Sequence, residues 1–169
     1  MHYLFLDTEW ADEAGRDLVS LALVSADGAH AHYVEIDPLP GNPKPFAADV
    51  VYPLLQRGAY ARERSAMAKS TVDFLMSFEP AAVLADHHND LRILRDLIEP
   101  AAVKRLLMRG TMLTQMLKDR TMREAGERWF AADPARLARR HHALVDAQAL
   151  RHAWIEMTQR APHVRTPSA

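Results

Sequence analysis

Two stretches of the sequence are apolar along almost their whole length and then stop at an aspartate: HYLFLD (2–7) and AAVLAD (81–86). Runs this short have strand length, and a strand without polar alternation is one that is covered on both faces. The rest of the chain must therefore supply helices for two sides of a sheet. DLVSLALVSA (17–26) and AHAHYVEI (29–36) flank Asp27–Gly28, a strong hairpin signal. DPLPGNPKP (37–45) holds four prolines and a glycine and suits neither helix nor strand. FAADVVYPLL (46–55) and SAMAKSTVDFLMSF (65–78) read as helices, the first kinked or ended near Pro53. NDLRILRDLIE (89–99) reads as a helix and VKRLLM (103–108) as a strand, while TMLTQMLKDRTMREAGERWF (111–130) is helical in part. From about His142 to Gln159, the residues Ala143, Ala147, Leu150, Trp154 and Met157 recur at helical spacing and share one face. A hairpin meander followed by alternating helices and strands predicts an α/β fold. Its mixed sheet combines an antiparallel meander with parallel strands and is flanked by helices. Length predicts one domain over 1–160, with a flexible tail over 161–169.

Composition narrows the chemistry. Hydrophobic residues at 49% and charged residues at 25% are ordinary globular values. The absence of cysteine removes disulfides, thiolate zinc sites and cysteine nucleophiles together. A formal net charge of −1 provides no global field for nucleic acid, so any polyanion site must be local. The opening MHYLFLD reaches Asp7 too early for a signal peptide or membrane span, and the expectation is a cytoplasmic protein.

Three places carry candidate chemistry. In DTE (7–9), strand alternation sends Asp7 and Glu9 to one side. Two adjacent anions repel unless a cation lies between them, and hard oxygen donors suit Mg²⁺ or Mn²⁺. The plainer reading is a strand-end turn with two solvated acids. AAVLADHHNDLRIL (81–94) ends a strand and opens a helix, with Asp90 at the turn where open α/β sheets build their sites. Asp90 also suits a simple helix-start role. The tripeptide DHH (86–88) is similar to the DHH phosphoesterase motif, but that family uses a second domain and further aspartate motifs. HHALVDAQAL (141–150) places histidines in front of a helix whose first turns carry Asp146. Nine histidines include no HExxH pair, which argues against a zinc hydrolase.

Taken together, FLDTEW, AAVLADHHNDLRIL and HHALVDAQAL follow the motif order of the DEDDh 3′–5′ exonucleases, which the chain resembles over most of its length. Within that superfamily it is most similar to the small RNase AS-type exoribonucleases, through the near-immediate DTE, LVSLALV and VVYPLL. RNase T, oligoribonuclease and the proofreading subunit of the replicative bacterial polymerase are more distant relatives. Asp86 stands where many members carry Asn, and Asn89 where Phe or Tyr usually precedes the second-motif aspartate. Asp90 is taken as the ligand because Leu91, Ile93 and Leu94 follow it in a helical apolar pattern.

The resemblance implies an RNase H-like fold in which Asp7, Glu9, Asp90 and Asp146 hold two divalent cations, Mg²⁺ or Mn²⁺. His141, in the H-x₄-D spacing, would be the general base, and His142 would be a surface residue at the helix start. Trp10 and Asp86 are assigned to the substrate side, although a tryptophan beside a buried strand also suits the core. Trp129–Phe130 presents the same choice. The implied substrate is the 3′ end of single-stranded RNA, with 3′ adenylates favoured. The implied assembly is a homodimer. A DNA exonuclease with the same chemistry is the nearer alternative, and a non-catalytic nucleic-acid-binding module the farther one. Between Lys118 and Arg140, seven Lys or Arg stand against four acids. That segment either tracks a phosphate backbone into the site or forms a solvated face.

Overall fold

The computed structural model describes residues 1–116 and 119–160; Lys118 and the expected tail at 161–169 lie outside the described residues. A six-stranded mixed sheet forms the centre, with strand order β4-β3-β2-β1-β5-β6. β1 (His2–Trp10), β2 (Leu18–Ser25) and β3 (Ala31–Ile36) form the antiparallel meander, and Gly28 at φ 75° makes its hairpin turn. β5 (Ala81–Ala85) pairs parallel with β1, and β6 (Met112–Gln115) pairs parallel with β5. A two-residue strand, β4 (Ala61–Arg62), closes the other edge beside β3.

Alternation along β1 divides the core into two layers. Leu4 and Leu6 pack under α1 (Arg64–Met76), α2 (His88–Leu97) and α3 (Pro100–Met108), against Met67, Leu75, Leu94 and Leu106. Phe5 points the other way, toward α4 (Arg120–Ala131) and α6 (Ala143–Arg160), against Met122, Leu150 and Ala153. Leu4, Phe5 and Leu6 are all fully buried. Each contributes roughly 1.5–3 kcal/mol through burial, which is why the run carries no polar residue before Asp7. Small residues let α6 approach closely: Ala143 and Ala147 meet Ala22 and Val24 of β2. Farther along the helix, Trp154 packs its ring 4.9 Å from Tyr3 and 5.3 Å from Phe5.

One reading of the sequence is corrected and a second is sharpened. VKRLLM is not a strand; it is the body of α3, and the strand follows at 112–115. Pro100 starts the helix where its missing N–H costs nothing, and Gly110 at φ 85° ends it in the left-handed region. FAADVVYPLL winds as a wide π-turn over Ala47–Val51, followed by a 3₁₀ turn over Tyr52–Leu54. Pro53 has no N–H to continue an α-helical ladder, and Tyr52 N–H instead reaches back to the Ala47 carbonyl. A short helix not anticipated from sequence, α5 (Pro134–Leu137), precedes the His141 turn.

Candidate metal centre

The carboxyl end of β1 places the first two acids. Asp7 and Glu9 share the Phe5 parity and so face α6, whereas Thr8 faces α2. Phe5 is in register with Leu84 of the parallel strand β5. Two residues farther on, Asp86 leaves the strand beside Asp7. α2 carries Asp90 in its first turn, where the helix dipole favours an acid. Asp90 is 1% exposed, and its Oδ1 accepts hydrogen bonds from Thr8 N–H at 3.2 Å and Thr8 Oγ1 at 2.7 Å. Asp146 comes down from the opposite layer on the first turn of α6. His141 lies just ahead of that helix at φ 72°, and its backbone N–H points at both Asp146 oxygens, at 3.3 and 3.2 Å. Histidine tolerates this left-handed conformation better than most residues do.

These side chains form two groups, Asp7–Asp86–Asp90 and Glu9–His141–Asp146. Within each group, one potential ligand atom per residue lies within 4.8 Å of the others. Asp7 Oδ2 and Asp90 Oδ2 are buried and have no hydrogen-bond partner. A buried carboxylate oxygen without a donor is costly, and a cation is the partner that satisfies several at once. The donor set, all carboxylate and imidazole, fits Mg²⁺ or Mn²⁺.

Electrostatics make the same point. Burial, then repulsion from Asp90, Asp146, Glu9 and Asp86, raises Asp7 well above the usual carboxylate range. Burial, then Asp146 and Asp90, pushes Glu9 up to about 9. Burial raises Asp90 to about 7 against the opposing Thr8 hydrogen bond. Without a cation, the folded state thus binds protons that the unfolded chain releases near pH ~4. Stability must then fall as pH rises toward those elevated values. The buried His32 and His142, each lowered to about 4 chiefly by burial, act oppositely, but only below the ordinary histidine range. Between pH 7 and 9, therefore, the melting temperature in chelator is expected to fall, and Mn²⁺ should raise it increasingly as pH increases. A melting temperature in chelator that is flat or rising across that window would contradict this electrostatic picture.

Two clefts open from the carboxylates and share Asp7, Asp86, His141 and Asp146 as their common wall. One, of ≈ 250 Å³, also takes in Trp10, Lys44, Phe46 and His87. A register shift between Glu9 and Trp10 marks a bulge there, and bulges re-aim side chains near sites. Trp10 is half-buried: it packs on the α2-side core, as one sequence reading expected, and also lines the cleft. Lys44 Nζ sits 5.8 Å from the Trp10 ring and 5.6 Å from Phe46, and the Phe46 ring meets His141 edge-on at 4.9 Å. The other cleft, of ≈ 180 Å³, lies between α4 and α6 and includes Arg123, Glu127, Phe130 and Arg140.

The sequence-predicted residues Asp7, Glu9, Asp90, His141 and Asp146 are thus all brought together. Asp86, expected on the substrate side, lies with Asp7 and Asp90 and lines both clefts. His142 is not a surface residue. It is 2% exposed, stacked on Tyr33 at 4.5 Å, with Nε2 3.2 Å from Gln56 Nε2. Its carbonyl accepts the Val145 and Asp146 N–H groups, so this buried ring anchors the turn that presents Asp146. Fully buried Glu35 completes that support, accepting from Tyr33 Oη at 2.7 Å, Gln56 N–H at 2.7 Å and Arg57 N–H at 2.9 Å. Sequence reasoning missed Lys44 and Phe46, because they follow a proline-rich loop whose path only the packing reveals. Trp129 packs against the small cluster of Phe130, Val145 and Ala149; Phe130 is buried.

The mixed sheet of this order, flanked by helices and carrying acids at the ends of its central strands, has the same fold as a viral exonuclease domain. Three solved structures of the Mopeia virus exonuclease domain share it. The one soaked with alendronate has a TM-score of 0.52 at 15% identity, covering 91% of this chain and 78% of that one. The manganese-depleted form gives 0.51 at 15%, covering 91% and 76%, and the form partially complexed with manganese gives 0.50 at 14%, covering 91% and 77%. No protein-family model matches the sequence, and no curated protein sequence matches it.

Proposed function

We propose that this protein is a metal-dependent 3′–5′ exonuclease that trims single-stranded RNA from its 3′ end. The observation that carries the reading is the convergence of Asp7, Glu9, Asp86, Asp90 and Asp146 on one cup, from four separate elements, with His141 at its rim. Asp7, Glu9, Asp90 and Asp146 would hold two divalent cations, Mg²⁺ or Mn²⁺, with Asp86 beside Asp7 and Asp90. Such ions supply neutralisation of the phosphodiester oxygens and acidify bound water.

The chain's own groups do the rest. Asp7, which feels all four other carboxylates, ties the two groups together. Thr8 holds Asp90 in place through two hydrogen bonds. His141 accepts a proton from the attacking water; burial, then the charge of Arg140, lowers its proton affinity and keeps the ring neutral at pH 7. Trp10, with Phe46 opposite the shared wall, takes the terminal base by stacking, an interaction that tolerates any base.

RNA as substrate, the RNase AS-type kinship and a homodimer rest on the sequence resemblance, and a cytoplasmic setting on the opening MHYLFLD; no helix among the described residues is long and apolar enough to cross a membrane. Parallel digestion of 5′-labelled single-stranded RNA and DNA of one sequence tests the reading. The expected result is a Mn²⁺-dependent ladder shortening from the 3′ end, faster on RNA. Faster DNA shortening would assign the same chemistry to DNA, and binding without shortening would make the protein a non-catalytic module.

A further inference from the structure

The basic segment ahead of His141 separates into two sets in the fold. Arg120 pairs with Glu124 at 2.7 Å, Arg128 with Glu156 at 2.6 Å and Arg136 with Asp133 at 3.3 Å. None of these three arginines lines the cleft at the carboxylates. Among the described cations of the segment, Arg123 and Arg140 alone line the ≈ 180 Å³ cleft, and they do so with Asp7, Asp86, His141 and Asp146.

Arg140 is held in a single pose. Its Nη1 and Nη2 donate to the two oxygens of Glu127 at 2.9 and 2.6 Å, and its guanidinium carbon lies 5.1 Å from the centre of the Phe130 ring. A guanidinium has five N–H donors. The Glu127 fork uses two of them, which leaves three for a second acceptor in the cleft. We propose that Arg140 binds a backbone phosphate of the nucleic-acid strand one or more nucleotides upstream of the scissile bond, so that the α4–α6 cleft is the path of the strand into the site.

This assignment rests on the nuclease reading and adds a direction to it. The cleft beyond the shared carboxylate wall has half-buried Trp10 and exposed Phe46, suited to a terminal base, and its cation Lys44 lies against those two rings. The α4–α6 cleft instead offers an oriented planar cation, suited to a tetrahedral anion. A polyanion that approaches five clustered carboxylates also needs a protein cation on its route, because bound metal ions can serve only the scissile phosphate. Glu127 orients Arg140 in this arrangement without covering its remaining donors.

The test compares a hexaribonucleotide with the p-nitrophenyl ester of thymidine 5′-monophosphate, which has one phosphodiester and no upstream phosphate. Arg140→Ala is expected to raise the ratio of KM for the hexamer to KM for the ester by about 10-fold or more. It should also flatten the dependence of log(kcat/KM) for the hexamer on log salt by about 0.7. Arg140→Lys keeps the charge but not the fork, and should retain the salt dependence while losing most of the hexamer affinity. Arg120→Ala, a surface pair outside the cleft, should change neither substrate. Equal loss on both substrates, or an unchanged KM ratio, overturns the assignment of Arg140 while leaving the nuclease reading standing. A wild-type protein that hydrolyses neither substrate with Mn²⁺ overturns both.

Discussion

Replacing Asp7 with alanine is expected to leave no Mn²⁺-dependent hydrolysis above background, the largest loss of any single substitution in this chain. Asp7 lies at the middle of the cup: it belongs to the Asp7–Asp86–Asp90 group, and its ionisation is opposed by every other acid of the site. Removing it deletes one of the three carboxylates, with Asp86 and Asp146, that both clefts share. The loss should not come from unfolding. Asp7 Oδ2 is a buried, unpartnered oxygen in a field of like charge, so its removal relieves repulsion in the metal-free protein. In chelator at pH 8, the variant is therefore expected to melt above wild type, and Mn²⁺ should raise its melting temperature by much less. Calorimetry and oligonucleotide digestion on one preparation check both halves. A variant that melts lower in chelator would mean that Asp7 holds the fold rather than the cations.

His141→Ala is expected to lower kcat by about 10²–10⁴-fold, the usual range for loss of a general base, with Mn²⁺ affinity close to wild type. The geometry makes this a real choice between roles, since a His141 ring nitrogen lies within 4.8 Å of Glu9 and Asp146 ligand atoms. A metal ligand lost from that group would weaken Mn²⁺ binding in titration calorimetry as well as the rate, whereas a lost base would affect the rate alone. Alanine also strains the left-handed backbone at residue 141, at a cost on the order of 1 kcal/mol. His141→Asn, which accepts that backbone and is too short to reach the cleft, should give the same kinetic loss with the strain removed.

Much of this was legible in the sequence, for physical reasons that also mark where legibility stops. β1 and β5 were readable because central strands tolerate no polar residue until they leave the core, and the acids mark that exit. α6 was readable because Ala143, Ala147 and Leu150 recur at helical spacing and do meet the sheet; Val145 and Ala149, which pack toward Phe130 on another side, were not part of that stripe. The four expected ligands were readable as motifs and their convergence was not, because it depends on small residues such as Ala143 and Ala147 letting α6 sit close to β2. VKRLLM failed as a strand because an apolar hexapeptide has no clear period; Pro100 and Gly110, which bound it as a helix, were the better signals. His142 was misjudged because neighbouring histidines look alike in a string, and only the positive φ at His141 sends one ring into the cleft and the other onto Tyr33. The basic segment could be divided from sequence only in part: Arg120–Glu124 and Arg136–Asp133 are local pairs of helical spacing, whereas Arg128–Glu156 and the Arg140–Glu127 fork depend on how α4 meets α6 and the turn before it.

The central claim is that carboxylates distant in the chain form a cradle for a pair of divalent cations. Anomalous scattering from a Mn²⁺-soaked crystal reads this directly. Two peaks roughly 3.5–4 Å apart are expected, lying among the carboxylate oxygens of Asp7, Glu9, Asp90 and Asp146. A map with no peak among these oxygens, or with manganese bound only elsewhere on the protein, would contradict it.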